Sequence, residues 1–207
     1  RQCDVAAKVL SAQMSGTSDF GGNYTSVFPV MATGIGTTAA HMSWSDEPYE
    51  PDVISYLEIA GCRKRYHAPL SRSIYTGKPP QKLQDKAKIV VEGLNKTLEF
   101  IQPGKHCEEI EQYWRSIMVA SNIEKEHRIA YAIGIGYPPD WGEQTASMRP
   151  GDRTILKPNM AFHMIPAIWG EYGREEDPGF IISESFYVTE NGCQTFADFP
   201  RKLFLSN

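Results

Sequence analysis

The stretch that decides the fold runs from Arg128 to Trp169, RIAYAIGIGYPPDWGEQTASMRPGDRTILKPNMAFHMIPAIW. An apolar run ends in a Gly-rich turn, and a loop carrying Asp140, Trp141 and Glu143 follows. A Pro-Gly turn then leads to a second strand-like run, Ala161 to Trp169. Runs rich in β-branched and aromatic residues, bounded by Gly and Pro, predict strands on both sides of the loop.

Working outward, Glu190-Asn191-Gly192 predicts a hairpin turn between strands Phe180–Thr189 and Cys193–Phe196. Upstream, Cys107 to Ala120 reads as a helix with Ile110, Trp114, Ile117 and Met118 on one stripe. Pro79-Pro80 opens a longer amphipathic helix, Gln81 to Ile101. Val53–Ala60 and Arg65–Tyr75 read as strands joined through Gly61 to Lys64, and Tyr24–Ile35 as a further strand. Arg1 to Met14 reads as a helix closed by Gly16. The order predicts an α+β fold, a mostly antiparallel sheet with helices packed on one side.

The 207 residues carry a net charge of −4, and the longest basic run is Arg63 to Arg65, which argues against a nucleic-acid partner. No apolar run reaches the roughly 18 residues of a membrane span. Cys3, Cys62, Cys107 and Cys193 form no CxxC pair and read as reduced thiols, which places the expected location in the cytoplasm. The chain opens directly in a helical pattern without Met. The expectation is one domain, residues 1–207, that follows an absent N-terminal domain.

Two carboxylates interrupt apolar strands, Glu58 and Glu184. Each is either a solvent-facing edge residue or an acid lining a cavity, where burial raises its pKa. His41 follows the small-residue run Gly34 to Ala40, where backbone can approach a ligand closely, and is either a site residue or a surface or capping histidine. His163 is either a satisfied core histidine or a pocket residue. Trp141, beside Asp140 and Glu143, is either a cation-binding wall or a cover for the sheet rim. No HExxH, CxxC, GxGxxG, phosphate-binding loop or GxSxG is present.

Read together, four stretches resemble the catalytic domain shared by methionine aminopeptidase, aminopeptidase P, prolidase and creatinase, the pita-bread fold. They are LEIAGCRKRYHAPLSRSIYTGKPP (57–80), IQPGKHCEEI (101–110), LKPNMAFHMIPAIW (156–169) and SESFYVTENGCQTF (183–196). The resemblance covers essentially the whole chain. It implies a curved, mostly antiparallel sheet and, in the metallopeptidases, two metal ions held by two Asp, one His and two Glu. Carried onto this sequence, those five positions hold Glu58, Pro69, Tyr131, Ile165 and, as the last Glu, Glu184. Pro and Ile cannot ligate a cation, so the resemblance points to the metal-free branch typified by creatinase, with no cofactor.

Within that branch, GIGYPPDWGEQTASMRPGD (134–152) with FHMIP (162–166) looks similar to ectoine hydrolases. Those open the cyclic amidine of ectoine to an N-acetyl-diaminobutyrate. The expected catalytic set is His41, Glu58 and Glu184, with Tyr131, Asp140, Trp141, Glu143 and His163 lining the pocket. A small zwitterionic substrate, a homodimer and no membrane partner complete the expectation. The alternatives are a creatinase-like or Xaa-Pro peptidase-like hydrolase of another C–N bond, and a non-catalytic binding domain.

Overall fold

The computed structural model describes residues 1–124, 127–171 and 178–206. Three helices, α1 (Gln2–Ser15), α2 (Gln81–Phe100) and α3 (Cys107–Val119), accompany nine strands. The strands are β1 (Val30–Thr33), β2 (Ile54–Arg63), β3 (Tyr66–Thr76), β4 (Ala130–Tyr137), β5 (Asp140–Met148), β6 (Ala161–Met164), β7 (Glu184–Val188), β8 (Cys193–Thr195) and β9 (Phe204–Ser206). They form one sheet in the order β1-β2-β3-β4-β6-β7-β8, with β5 on β4 and β9 on β3. Every pairing is antiparallel except β3 with β9. This is the α+β arrangement expected.

The β2–β3 hairpin turns later than its glycine suggests. Gly61 stays in the ladder, and Lys64 and Arg65 make the turn at φ 49° and 69°. Two left-handed residues give the twist that a two-residue hairpin needs. The predicted strand Tyr24–Ile35 shrinks to Val30–Thr33, because Pro29 cannot donate to a ladder and Gly34 starts a short 3-10 helix, Gly34–Thr38. The loop expected at Asp140 to Glu143 is the start of β5, folded back on β4. Thr154–Leu156 forms only an isolated bridge, His106 to Ile155.

Side-chain parity sorts the central strands into two faces. Ala130, Ala132, Phe162, Met164, Phe186 and Val188 face the helices. They pack with a stripe on α2 (Leu83, Ala87, Val90, Leu94, Leu98) and one on α3 (Ile110, Trp114, Met118). At Gly93 the helices come so close that an added Cβ would lie 2.3 Å from Met118 Cε. The residues in between, Tyr131 and His163, face away from the helices, and with Glu58 they make the opposite, polar face. Leu94 is fully buried at the centre of the apolar layer. Leu94→Ala is expected to cost about 2–5 kcal/mol, read as a lower urea midpoint at unchanged m-value.

Candidate active site

Glu58 lies in the middle of β2, paired with Val30 on one side and Ser71 on the other. It is 6% exposed. Burial pushes its pKa from the ordinary carboxylate range to about 7. Its Oε1 stands 3.9 Å from His163 Nδ1.

His163 is completely buried, and both ring nitrogens are engaged. Nδ1 meets the Tyr131 hydroxyl at 2.8 Å and Nε2 meets Ser183 Oγ at 2.7 Å. Each oxygen also accepts an N–H from elsewhere: Trp141 Nε1 donates to Tyr131 at 2.8 Å, and the Ser71 amide donates to Ser183 at 2.6 Å. Burial, helped by the Arg128 charge, depresses the His163 pKa to about 3, so the ring is neutral in the neutral range. A neutral imidazole has one donor and one acceptor. The chain therefore runs in one of two directions. In one, Tyr131 donates to Nδ1 and Nε2–H donates to Ser183. In the other, Ser183 donates to Nε2 and Nδ1–H donates to Tyr131, which leaves the phenolic proton free of the imidazole. The phenol's own pKa is raised, first by burial and then by the Glu58 charge.

Local sequence explains the packing of this group. At Gly136 a Cβ would fall 2.8 Å from the Trp141 Cα, so β5 can fold tightly onto β4 only with glycine there. Gly142 similarly brings the backbone of β5 to the Tyr131 ring. His163 meets the same ring edge-on at 5.2 Å.

Of the expected site residues, the structure brings together Glu58, Tyr131, Trp141 and His163. The others lie apart. His41 is exposed on the turn after the short helix, at φ 59°, and among the described residues it makes no contact with the Glu58 group. The small-residue run before it instead borders a cavity of about 350 Å3 with Asp52, Tyr75 and Pro178. Asp140 caps its own turn by accepting the Gly142 amide at 2.9 Å, and Glu143 is exposed over Gly134.

Glu184 is displaced for a reason of parity. It pairs with Met164 in the ladder and so shares the helix face. There it is fully buried in an ion pair with Arg72, and Arg201 Nε reaches the same oxygen at 3.1 Å. The side chain that reaches His163 is that of its neighbour, Ser183. Arg72 spends its remaining donors on four carbonyls: Ser71 (2.9 Å), Ser183 (2.6 Å), Phe199 (3.0 Å) and Pro200 (2.9 Å). The pair thus braces the two serines from behind. Sequence reading missed both. Ser71 Oγ is fully buried without a hydrogen-bond partner among the described residues, opposite Glu58. The signal available was the alternation in Ser71-Arg72-Ser73 and Ser183-Glu184-Ser185.

Comparison with known proteins fits these observations. The sequence profile of metallopeptidase family M24 matches residues 1–190. The chain belongs to that family. It is 43% identical over 187 residues to the ectoine hydrolase of Halomonas elongata, covering 90% of this chain and 46% of that protein. It is 42% identical over all 207 residues to an uncharacterized hydrolase/peptidase of Sinorhizobium fredii, covering 52% of that protein. The chain spans about half the length of the curated relatives it matches. Its fold superimposes on the prolidase of Pyrococcus horikoshii with a TM-score of 0.85 at 21% identity, over 99% of this chain and 56% of that one. The pita-bread fold and the closeness to ectoine hydrolase expected from the sequence are therefore found.

The family name implies a metal, and the donor set here does not fit one. Among the described residues no three His, Cys, Asp or Glu side chains converge. Glu58 is accompanied by an imidazole with both nitrogens committed, a phenol and a serine, which suits neutral hydrogen bonding rather than divalent cation binding.

Two outcomes follow for stability. Glu58 has a folded pKa near 7 against an unfolded value near 4.5, so the native state holds the extra proton between those values. The contribution of Glu58 to stability is full below about pH 4.5 and is lost as pH rises through 7, by up to about 3 kcal/mol. Unfolding midpoints measured across pH should show this fall in the wild type and not in Glu58→Gln. Arg72→Met strands Glu184 in the apolar layer and is expected to cost about 3–5 kcal/mol in urea unfolding.

Proposed function

We propose that the protein is a metal-independent hydrolase that opens the ring of a small cyclic amidinium compound, ectoine being the best-supported substrate. The observation that carries the reading is Glu58: one buried carboxylate, half ionised near neutrality, with no Arg or Lys within ion-pair distance among the described residues. The 43% identity to an ectoine hydrolase supports the choice of substrate.

A neutral peptide carbonyl needs a Lewis acid or an oxyanion hole to become electrophilic. An amidinium carbon is electrophilic already, because it carries the substrate's positive charge. Glu58 as carboxylate offsets that charge and holds a water against the carbon between the two nitrogens. It takes a proton from that water as the new C–O bond forms. The tetrahedral adduct collapses with cleavage of one C–N bond, and the proton held by Glu58 passes to the departing nitrogen. One water is consumed, and an amide and an amine result. Tyr131 and the Ser71 hydroxyl are donors for the developing oxygen, and His163 holds Tyr131 in place.

The test is a substrate panel with chelator present: ectoine, creatine and a Xaa-Pro dipeptide, with ring opening followed by NMR. Ectoine should be opened, with kcat/KM rising with pH through about 7 as Glu58 ionises. Glu58→Gln should lose about 10³-fold or more in kcat. Hydrolysis of the dipeptide alone, or activity that appears only on adding metal, would contradict the reading.

A further inference from the structure

Arg128 stands beside the site and is not used by the chemistry above. Its guanidinium lies over the face of the Tyr131 ring, 4.5 Å from the centroid. That is the ring whose hydroxyl binds His163. The side chain is exposed, and its one hydrogen bond among the described residues is a long one, 3.4 Å to Ser147 Oγ. No carboxylate of the described residues lies within ion-pair distance of it.

This contrasts with the arginines that hold Glu184 on the helix side of the sheet. Arg72 has every donor direction filled, and Arg201 holds Glu184 and Asn95. A guanidinium presents five N–H donors in a planar fork that matches a carboxylate. At Arg128 the guanidinium rests over the Tyr131 ring, and apart from the long contact to Ser147 its hydrogens have no partner among the described residues. The charge is felt inside the cluster, where it works against protonation of His163.

We infer that Arg128 is an anion-recognition residue that binds the carboxylate of the substrate while Glu58 faces its cationic end, so that the site selects zwitterions. This rests on the amidine-hydrolase reading above and extends it to specificity. The positive end of the substrate lies against the one acid of the cluster. The negative end meets the cation over the Tyr131 ring. A cyclic amidine without a carboxylate would lose the second contact and keep the reacting group.

The experiment compares ectoine with its carboxamide, which keeps the ring and removes the negative charge, in wild type and in Arg128→Gln. The quantity read is the ratio of kcat/KM for the two compounds. Wild type should favour ectoine by about tenfold or more, and Arg128→Gln should bring the ratio close to one through KM for ectoine. Arg128→Lys, which keeps charge but not the fork, should fall between. Equal loss on both compounds would mean that Arg128 only supports Tyr131, and would overturn the inference, as would an unchanged ratio. If wild type turns over neither compound, the amidine-hydrolase reading fails on its own. Calorimetric affinities for the same two compounds then decide the role of Arg128: a wild-type preference lost in Arg128→Gln supports it, and equal affinities or no binding overturn it.

Discussion

Burial keeps the His163 imidazole neutral, and a neutral ring in a dry interior is satisfied only if each nitrogen finds the right partner. Tyr131 on one side and Ser183 on the other saturate it. Each partner is fixed by a further N–H, from Trp141 and from the backbone of Ser71. Strands β3, β4 and β6, the residue just before β7 and the fold-back of β5 must therefore be in register for the ring to be satisfied at all. An imidazole left without one of these partners would be an orphaned polar group in a dry interior, costing about 1–3 kcal/mol. The polar face is thus specified by hydrogen-bond completeness, as the helix face is specified by apolar packing.

The sheet separates two electrostatic problems. On the helix side, the Arg72 and Arg201 guanidinium groups hold Glu184. On the other side, Glu58 has no Arg or Lys within ion-pair distance among the described residues, and burial raises its pKa to about 7. The first carboxylate is a structural brace held by two guanidinium groups. The second is free to exchange a proton near neutrality, which is the property a general base requires. Exchanging their environments would exchange their roles, because environment and not residue type sets the two behaviours.

Much of this was legible in the sequence. Pro79-Pro80 ahead of an amphipathic run marked α2, and the β-rich run Val53–Ala60 marked β2. The family resemblance set Pro69 and Ile165, which cannot ligate a cation, at positions where the metallopeptidases keep ligands. What escaped was long-range. Nothing local marks Asp140–Met148 as a strand, since it gains its ladder only by folding onto β4. Likewise, no local pattern says whether a histidine inside an apolar run is inert core or part of a polar chain. His163 is both buried and connected, while His41, with the more suggestive local context, is on the surface. Glu184 was drawn to the site by its motif, and a shift of one residue in a strand turned it to the other face.

The central claim is that Glu58 titrates near neutrality because it is buried without a cation. The most direct measurement is the ionisation of its side chain, followed by carboxyl-carbon NMR of labelled protein with Glu58→Gln to assign the signal. A midpoint near 7 is predicted. A midpoint near 4.5, that of a solvated glutamate, would contradict the account.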